Sequence, residues 1–414
     1  MTSLKWRKIL TIGVGGSNAQ QELAKLTNQC LDIKPISSNE FGERIKKAQQ
    51  LMANNNLAAI YLNAGTNLSY FTGTKWHASE RMVGAILTAT GQLIYIAPFF
   101  EQGTILKFMG VKGEIAPWQE HESPYDLFCM TLDTLGINEG NIGIDESTPF
   151  FIVDGINQCT KPYTLTSAKT VTAGCRSIKS ENELALMQKA KDITLIVQQS
   201  AARILREGIT TAEVTDFINE AHIRLGAPKG SYFCIVLFGV DSSFPHGVKE
   251  TKTLEANDMV LIDTGCVIEN YISDITRSYV FGEPSDEQRH YWTIEKDAQQ
   301  VAFDAAVLSN PCADIDIAAR NFLASSGLGP DYETPGCPHR TGHGIGLDIH
   351  EWPYLNKADM TPLETGMCFS NEPMLVIPDK YGIRLEDHFY MTPQGPKWFT
   401  QPSHSIDDPF AVKG

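Results

Sequence analysis

The sequence lacks an excess of positive charge and any long apolar run. Its 34 lysines and arginines are outnumbered by 49 aspartates and glutamates, which gives a formal net charge of −15. Nucleic acids and anionic membrane surfaces are polyanions, so this charge disfavours nonspecific binding to either. No segment approaches the ~20 consecutive apolar residues that a membrane-spanning helix requires. We therefore expect a protein that binds no nucleic acid and does not enter a membrane.

Paired-cysteine motifs are also missing. The nine cysteines are odd in number, are scattered and show no CxxC spacing, which argues against a disulfide framework or a thiolate zinc site and favours the cytoplasm. One signal competes with this location. Lys5, Arg7 and Lys8 precede a weak apolar run, and residues 17–19 faintly resemble an export-signal cleavage site. The run is short and glycine-rich, which favours an ordinary N-terminal segment.

The chain is long enough for two domains. It has 414 residues, of which 42% are apolar, so two substantial cores can form. Apolar runs such as LAAIYLNA and GQLIYIAPF are typical of buried strands, and stretches with helical spacing lie between them. This alternation predicts an α/β domain over residues 1–172.

The second half of the sequence has a different character. Ser180 and Glu183 form a capping-box pattern ahead of a long apolar repeat of helical period. Strand-like segments then dominate, and helices are predicted near residues 286–308 and 311–326. Strands and helices in separate runs indicate an α+β domain with a largely antiparallel sheet over residues 173–414.

The stretch CPHRTGHGIGLDIHE, residues 337–351, holds three of the ten histidines. His339 and His343 are four residues apart, but the surrounding glycines make a helix there unfavourable. We expect a loop that leads into a strand, with backbone able to approach a ligand closely. The alternative is a glycine-rich turn whose histidines face water.

Two aspartates lie upstream in LIDTGCVIENYISDITRSY. Asp263 and Asp274 are eleven residues apart around a turn near Ile268 and Glu269, which would make them cross-strand partners in a hairpin. Facing carboxylates among apolar residues repel each other, and a divalent cation would remove that repulsion. The other interpretation, in which one caps a turn and the other faces water, is equally compatible with this pair alone.

Further carboxylates follow in SNEPML and GIRLEDHF. Glu372 precedes a proline, whereas Arg384 and Glu386 are two apart and so share a face of a strand. A buried arginine beside a ligating glutamate would orient it; a solvated Arg–Glu pair is the ordinary alternative. Four carboxylates and one imidazole project from the predicted sheet: Asp263, Asp274, His343, Glu372 and Glu386. This donor set suits two ions of Mn2+, Co2+ or Zn2+ that share a bridging water.

These motifs, in this order, resemble the pita-bread metallopeptidases, specifically the Xaa-Pro dipeptidases (prolidases) and Xaa-Pro aminopeptidases. The shared elements are HG at His246, DTG with a second aspartate eleven residues on, HxxxHGIGLDIHE, NEP and RLED. They span roughly residues 177–395. NAGTNLSYFTG and ASERMVGAILTATGQLIYIAP resemble the creatinase-type N-terminal domain of the same family.

The resemblance implies a role for each matching residue. Asp263 would hold one metal, Asp274 and Glu386 would bridge, and His343 and Glu372 would complete the shell. Two divalent ions, Mn2+ before Co2+ or Zn2+, would share a hydroxide that attacks the Xaa-Pro imide bond. The remaining assignments are catalytic: His246, His339 and His350 around the substrate, Glu372 as proton shuttle, and Arg384 in the metal shell.

The resemblance favours an Xaa-Pro dipeptidase acting on dipeptides or short peptides, working as a homodimer. An aminopeptidase on longer peptides is the first alternative, and an inactive binding scaffold a more distant one. Creatinase and methionine aminopeptidase fit less well, and organophosphate hydrolysis would be incidental. A dipeptidase must bind the proline carboxylate, normally with a cation, and Lys75, Arg81 and Lys249 are the candidates, with TKWHASERM at 74–82 as the segment of interest.

Overall fold

A computed structural model describes residues 10–159 and 161–412. Lys5, Arg7 and Lys8 of the faint export signal lie outside the described residues. No helix in the described part of the chain is long and apolar enough to cross a membrane. By their contacts the described residues form two units, one of residues 35–176 and one of residues 10–34 together with 177–412.

The segment 10–34 groups with the later unit through long-range backbone pairing. Thr11 N donates to the carbonyl of Gly282 at 2.9 Å, and a short helix, α1 (Ala19–Leu23), follows Asn18 as its N-cap. The sequence-based division assigns this segment to a domain of residues 1–172, whereas the contacts do not. Pairing between residues 271 positions apart leaves no local signal in the sequence. The two domains as independently folding bodies stay a prediction.

The unit of residues 35–176 contains a six-stranded mixed sheet with the order β4-β3-β2-β1-β5-β6. β1 pairs in parallel with β5 and antiparallel with β2. Tyr61, Ile86, Ile96 and Ile142 from four of these strands join one buried cluster, so the apolar runs seen in the sequence form the core. The strands are β1 (Leu57–Asn63), β2 (Gly84–Thr88), β3 (Leu93–Pro98), β4 (Glu114–Trp118), β5 (Gly140–Ile144) and β6 (Tyr163–Ser167).

Helices connect these strands, as the alternating pattern predicts. The side chain of Ser37 accepts from Glu40 N at the start of α2, and Ser123 caps α5, which has Pro124 at its first position. The helices are α2 (Ser38–Asn54), α3 (Thr66–Thr72), α4 (Gln102–Phe108), α5 (Pro124–Thr134), α6 (Phe150–Asn157) and α7 (Lys169–Ser177), with a 3-10 helix at Phe99–Glu101.

The other unit begins with two helices that carry capping boxes. The predicted box of Ser180 and Glu183 is confirmed, and Thr210 with Glu213 forms a second. The predicted helices near 286–308 and 311–326 are present but shorter. The helices are α8 (Glu181–Ile204), α9 (Thr211–Leu225), α10 (Asp286–Asp304) and α11 (Ala313–Ser325), with a 3-10 helix at Gly239–Ser243.

The strands of this unit pair antiparallel throughout the described register. They form sheets with the orders β10-β8-β7, with β9 on β8, then β12-β11-β13-β16-β17, and β14-β15. The strands are β7 (Ser231–Phe238), β8 (Met259–Ile268), β9 (Tyr271–Ile272), β10 (Ile275–Val280), β11 (Gly342–Gly344), β12 (Glu351–Leu355), β13 (Cys368–Asn371), β14 (Met374–Ile377), β15 (Tyr381–Arg384), β16 (Asp387–Thr392) and β17 (Gly395–Trp398).

The predicted hairpin around the DTG motif is present, with a different register. The turn consists of Glu269 and Asn270, both with positive φ, a conformation typical of tight hairpin turns. Asp263 lies opposite Thr276 in the register of β8 and β10, not opposite Asp274. Because side chains two apart share a face, Asp274 is a diagonal neighbour of Asp263 on the same face. The expectation of direct cross-strand partners was therefore wrong by two positions.

This unit contains a buried ion pair whose charges depend on each other. Arg277 is 1% exposed and donates to the Asp387 carboxylate at 2.7 and 3.2 Å. Asp387→Asn would leave a buried guanidinium uncompensated, so we expect a loss of ~3–5 kcal/mol in unfolding free energy, measured by urea denaturation. Asp407→Asn, in the half-exposed pair with Arg289, should cost less than ~1 kcal/mol. Equal losses of unfolding free energy in the two variants would contradict a larger dependence on the buried pair than on the half-exposed pair.

Candidate metal centre

Three of the predicted ligands converge most closely. Asp274, His343 and Glu386 each offer one donor atom within 4.8 Å of the other two, and all three are buried. They come from different parts of the fold: Asp274 directly precedes β10, His343 is central in β11, and Glu386 directly precedes β16. The structure therefore brings together residues separated by up to 112 positions in the chain.

His343 is held in a defined orientation. Its Nδ1 lies 3.0 Å from the carbonyl of Gly344. A ring that donates from Nδ1 leaves the Nε2 lone pair free to bind a metal. That Nε2 lies 3.0 Å from Glu372 Oε1, so two potential acceptor atoms face each other, and a proton or a cation between them removes the conflict.

Glu372 follows β13 and is fixed from two sides. Its backbone N donates to Thr341 O at 2.8 Å, and the hydroxyl of Ser370 donates to Oε1 at 3.0 Å. Burial raises the pKa of Glu372, but in the metal-free protein a protonated His343 that donates from Nε2, together with the charges of His339 and Arg384, outweighs it. The net pKa lies below the usual range of a glutamate.

Arg384 is positioned differently from the sequence-based expectation. Its guanidinium donates to Asp263 Oδ2 and, at 3.0 Å, to the hydroxyl of Thr276. That hydroxyl in turn donates to Glu386 Oε2 at 2.8 Å. Arg384 therefore pairs directly with Asp263, and within the described structure its hydrogen-bonded link to Glu386 runs through Thr276.

The electrostatics of the pocket fit a bound cation. Burial, and then the charges of Glu386, Asp263 and Glu372, raise the pKa of Asp274 well above its usual value. Burial and the charges of Glu372 and Asp263 do the same for Glu386. One buried oxygen of each of three carboxylates has no hydrogen-bond partner among the described residues: Asp263 Oδ1, Asp274 Oδ1 and Glu386 Oε1. Unpartnered, mutually repelling oxygens beside an imidazole fit a divalent cation.

The other predicted histidines lie near this centre. The ring of His350 meets that of His343 at 4.3 Å, edge to face. Burial, followed by the charges of His343 and Arg340, lowers the pKa of His350 to about 4. His339 Nδ1 lies 2.7 Å from the carbonyl of Arg340, while its buried Nε2 has no partner within the described structure. His246 is exposed, and its charge acts on both rings.

Sequence reasoning missed several residues that support the ligands. Ser370 accepts from His343 N at 2.9 Å and donates to Glu372, whereas Thr276 links Arg384 to Glu386. His388 is fully buried, with Nε2 3.6 Å from Glu386 Oε1. Ser370, Thr276 and His388 each lie two residues from a predicted ligand. The two-residue period of a strand was the signal that could have identified them.

The structure shows what surrounds two of the three candidate cations, Arg81 and Lys249. Arg81 pairs with Glu120 at 3.0 Å and with Glu80, so its charge is already compensated. Lys249 is exposed and lines a cleft of about 310 Å³ together with His246. Lys75 lies in the loop before β2, in the unit of residues 35–176.

Comparisons with known proteins agree with this geometry. Residues 185–393 match the model of metallopeptidase family M24, and residues 44–178 match the creatinase/prolidase N-terminal domain. An uncharacterized peptidase of Staphylococcus aureus is 30% identical over 352 residues, which cover 85% of this chain and 97% of the relative.

Two solved structures extend the comparison. An Xaa-Pro dipeptidase from Bacillus anthracis is 26% identical, with a TM-score of 0.76 over 88% of this chain and 99% of that one. An X-Pro aminopeptidase from Thermotoga maritima is 25% identical, with a TM-score of 0.75 over 87% of this chain and 98% of that one. The predicted family and fold class are confirmed. The chain belongs to metallopeptidase family M24, with a creatinase-type N-terminal domain joined to a pita-bread catalytic domain.

Proposed function

We propose that the protein is an Xaa-Pro dipeptidase that hydrolyses the imide bond of proline-containing dipeptides. The observation that carries the proposal is the convergence of Asp274, His343 and Glu386 within 4.8 Å, beside carboxylate oxygens without partners. Likeness to an Xaa-Pro dipeptidase supports the substrate class. The nitrogen of an intact Xaa-Pro bond carries no N–H, and a pocket can be shaped for the proline ring.

The proposed cofactor is a pair of divalent ions, Mn2+ before Co2+ or Zn2+. Five residues would hold them: Asp263, Asp274, His343, Glu372 and Glu386. The ions, when bound, supply a water activated as a nucleophile at neutral pH. The oxygen-rich donor set with one imidazole supports Mn2+, although the same donors also accept the other two metals.

The side chains around the ions would transfer the proton, stabilise the developing negative charge and position the substrate. Glu372 is a carboxylate beside the proposed ions and can take a proton and pass it to the proline nitrogen. His350, with its pKa near 4, is neutral at pH 7 and donates an N–H to the carbonyl oxygen as charge develops there. His339 and His246 would contact the substrate, and Arg384 donates to Asp263 and orients it.

An Xaa-Pro aminopeptidase is the second candidate, favoured by the likeness to the Thermotoga maritima enzyme. It differs in leaving room for residues beyond the proline. An inactive scaffold is a third candidate, and the full ligand set argues against it. A homodimer working in the cytoplasm completes the proposal; the dimer rests on the family resemblance and the location on the scattered cysteines.

The deciding experiment compares Ala-Pro with Ala-Pro-Ala as substrates of the Mn2+-loaded protein. We expect chelator-sensitive cleavage of Ala-Pro, with a kcat/KM at least ~10-fold above that for Ala-Pro-Ala, because the far side of a dipeptidase site recognises a carboxylate. A preference for the tripeptide would establish the aminopeptidase instead. No cleavage of either peptide despite bound metal would overturn the Xaa-Pro assignment.

A further inference from the structure

Arg340 lies between the two histidines that flank the start of β11, and it was not among the cations considered from the sequence. Its guanidinium lies 4.5 Å from the ring centroid of Tyr354. Tyr354 is paired with His343 in the register of β12 and β11, and side chains at paired positions share a face of the sheet. The guanidinium is therefore stacked beside the candidate metal ligand.

The charge of the same guanidinium acts on His350. The His350 ring is 4.3 Å from that of His343, and the positive charge of Arg340 helps to lower the pKa of His350. Arg340 is also only half-buried, so solvent or a small ligand can reach it. The stacking on Tyr354, which is paired with His343, therefore places a cation beside the proposed metal ligand.

Arg340 is distinct in having no partner for its charge among the described residues. Among the arginines that the structure describes, it alone makes no side-chain hydrogen bond or ion pair; the others bind carboxylates, carbonyls or an amide oxygen. Arg384, Arg277 and Arg320 of the same unit are committed to Asp263, Asp387 and Asp316, respectively. Stacking on Tyr354 orients the planar guanidinium but leaves its five N–H groups available to a ligand.

We propose that Arg340 binds the free α-carboxylate of the substrate's C-terminal proline and so restricts the enzyme to dipeptides. The proposal rests on the proposed Xaa-Pro peptidase function and specifies its substrate class. A guanidinium with both edges free offers two parallel N–H donors to one carboxylate. A longer peptide has a neutral amide at that position, so it leaves the guanidinium unpaired and gains nothing from it.

The test uses Ala-Pro and its C-terminal amide as substrates of the Mn2+-loaded full-length protein. For Arg340→Gln we expect kcat/KM for Ala-Pro to fall ~30- to 100-fold, mainly through KM, because charge-assisted hydrogen bonds are lost. The amide, which the wild type should cleave poorly, should change less than ~2-fold. Arg340→Lys should restore part of the loss. Arg224→Gln, in an exposed pair with Glu220, is the control and should match the wild type.

The outcomes distinguish failure of the role proposed for Arg340 from failure of the proposed peptidase function. An equal loss for Ala-Pro and its amide would mean that Arg340 only supports local structure, and it would overturn the carboxylate assignment. So would an unchanged KM for Ala-Pro in Arg340→Gln, or a wild type that prefers the amide. If the wild type cleaves no Xaa-Pro substrate at all, the proposed function itself has failed and the role of Arg340 falls with it.

Discussion

Replacing Asp274 with asparagine should abolish metal binding and activity while making the metal-free protein more stable. Asparagine keeps the shape of the side chain but removes the charge that a divalent ion requires. Mutation of residues that only support a ligand costs ~10- to 100-fold in metal affinity, so loss of Asp274, a proposed ligand, should cost at least ~100-fold. Titration with Mn2+ followed by calorimetry measures this, and Asp297→Asn on the exposed face of α10 is the matched control.

The gain in stability follows from the repulsion among buried carboxylates. Burial and neighbouring negative charges raise the pKa of Asp274 in the metal-free folded protein. A group with a raised folded pKa contributes stability that is fully present below its unfolded pKa and is lost as pH rises through the folded pKa. Asparagine does not ionise, so the stability of the metal-free variant should not show this decline as pH rises.

Thermal unfolding of chelator-treated proteins between about pH 4 and pH 8 checks the sign, because an unperturbed aspartate titrates near pH 4. We expect the Tm of the variant to exceed that of the wild type increasingly as pH rises, by the equivalent of ~1–3 kcal/mol, the usual cost of leaving a buried polar group unsatisfied. A variant that binds Mn2+ like the wild type, or a Tm difference that shrinks with pH, would contradict this account.

The parts of the site that the sequence predicted well are those with local signals. The capping box of Ser180 and Glu183 is a four-residue pattern, and the helix that it starts is where the pattern places it. A loop leads into the short strand β11, which contains His343, as the glycine-rich surroundings indicate. In both cases backbone preferences over a few residues decide the structure.

The parts that the sequence did not predict depend on register and on distant partners. Asp263 lies opposite Thr276 rather than Asp274, a shift of two positions that the alternating pattern permits without moving any side chain to the other face. The partner of Arg384 is Asp263, 121 positions away, although the nearby Glu386 is the obvious choice in the sequence. Arg340 shows the same limit, because its contact with Tyr354 requires the pairing of two strands.

A second large effect is expected when Glu372 is replaced with glutamine, and it separates proton transfer from metal binding. The backbone bond to Thr341 and the hydroxyl of Ser370 hold this side chain in place, and both can hold glutamine as well. The amide oxygen is a weaker, uncharged ligand, so saturating Mn2+ is needed to keep the site filled, and the amide cannot accept and release a proton. General acid–base catalysis typically contributes ~10²- to 10⁴-fold, so we expect kcat to fall ~10³-fold.

The measurement is kcat for Ala-Pro at saturating Mn2+, with bound metal counted in the same samples and Glu364→Gln, an exposed glutamate, as the control. Metal retained with kcat reduced ~10³-fold would fit a Glu372 that moves the proton to the proline nitrogen, since the nucleophile would remain and only its proton acceptor would be missing. If metal is retained and kcat stays within ~10-fold of the wild type, the proton must move through another group. His339, whose buried Nε2 has no partner in the described part of the chain, would then be the residue to replace next.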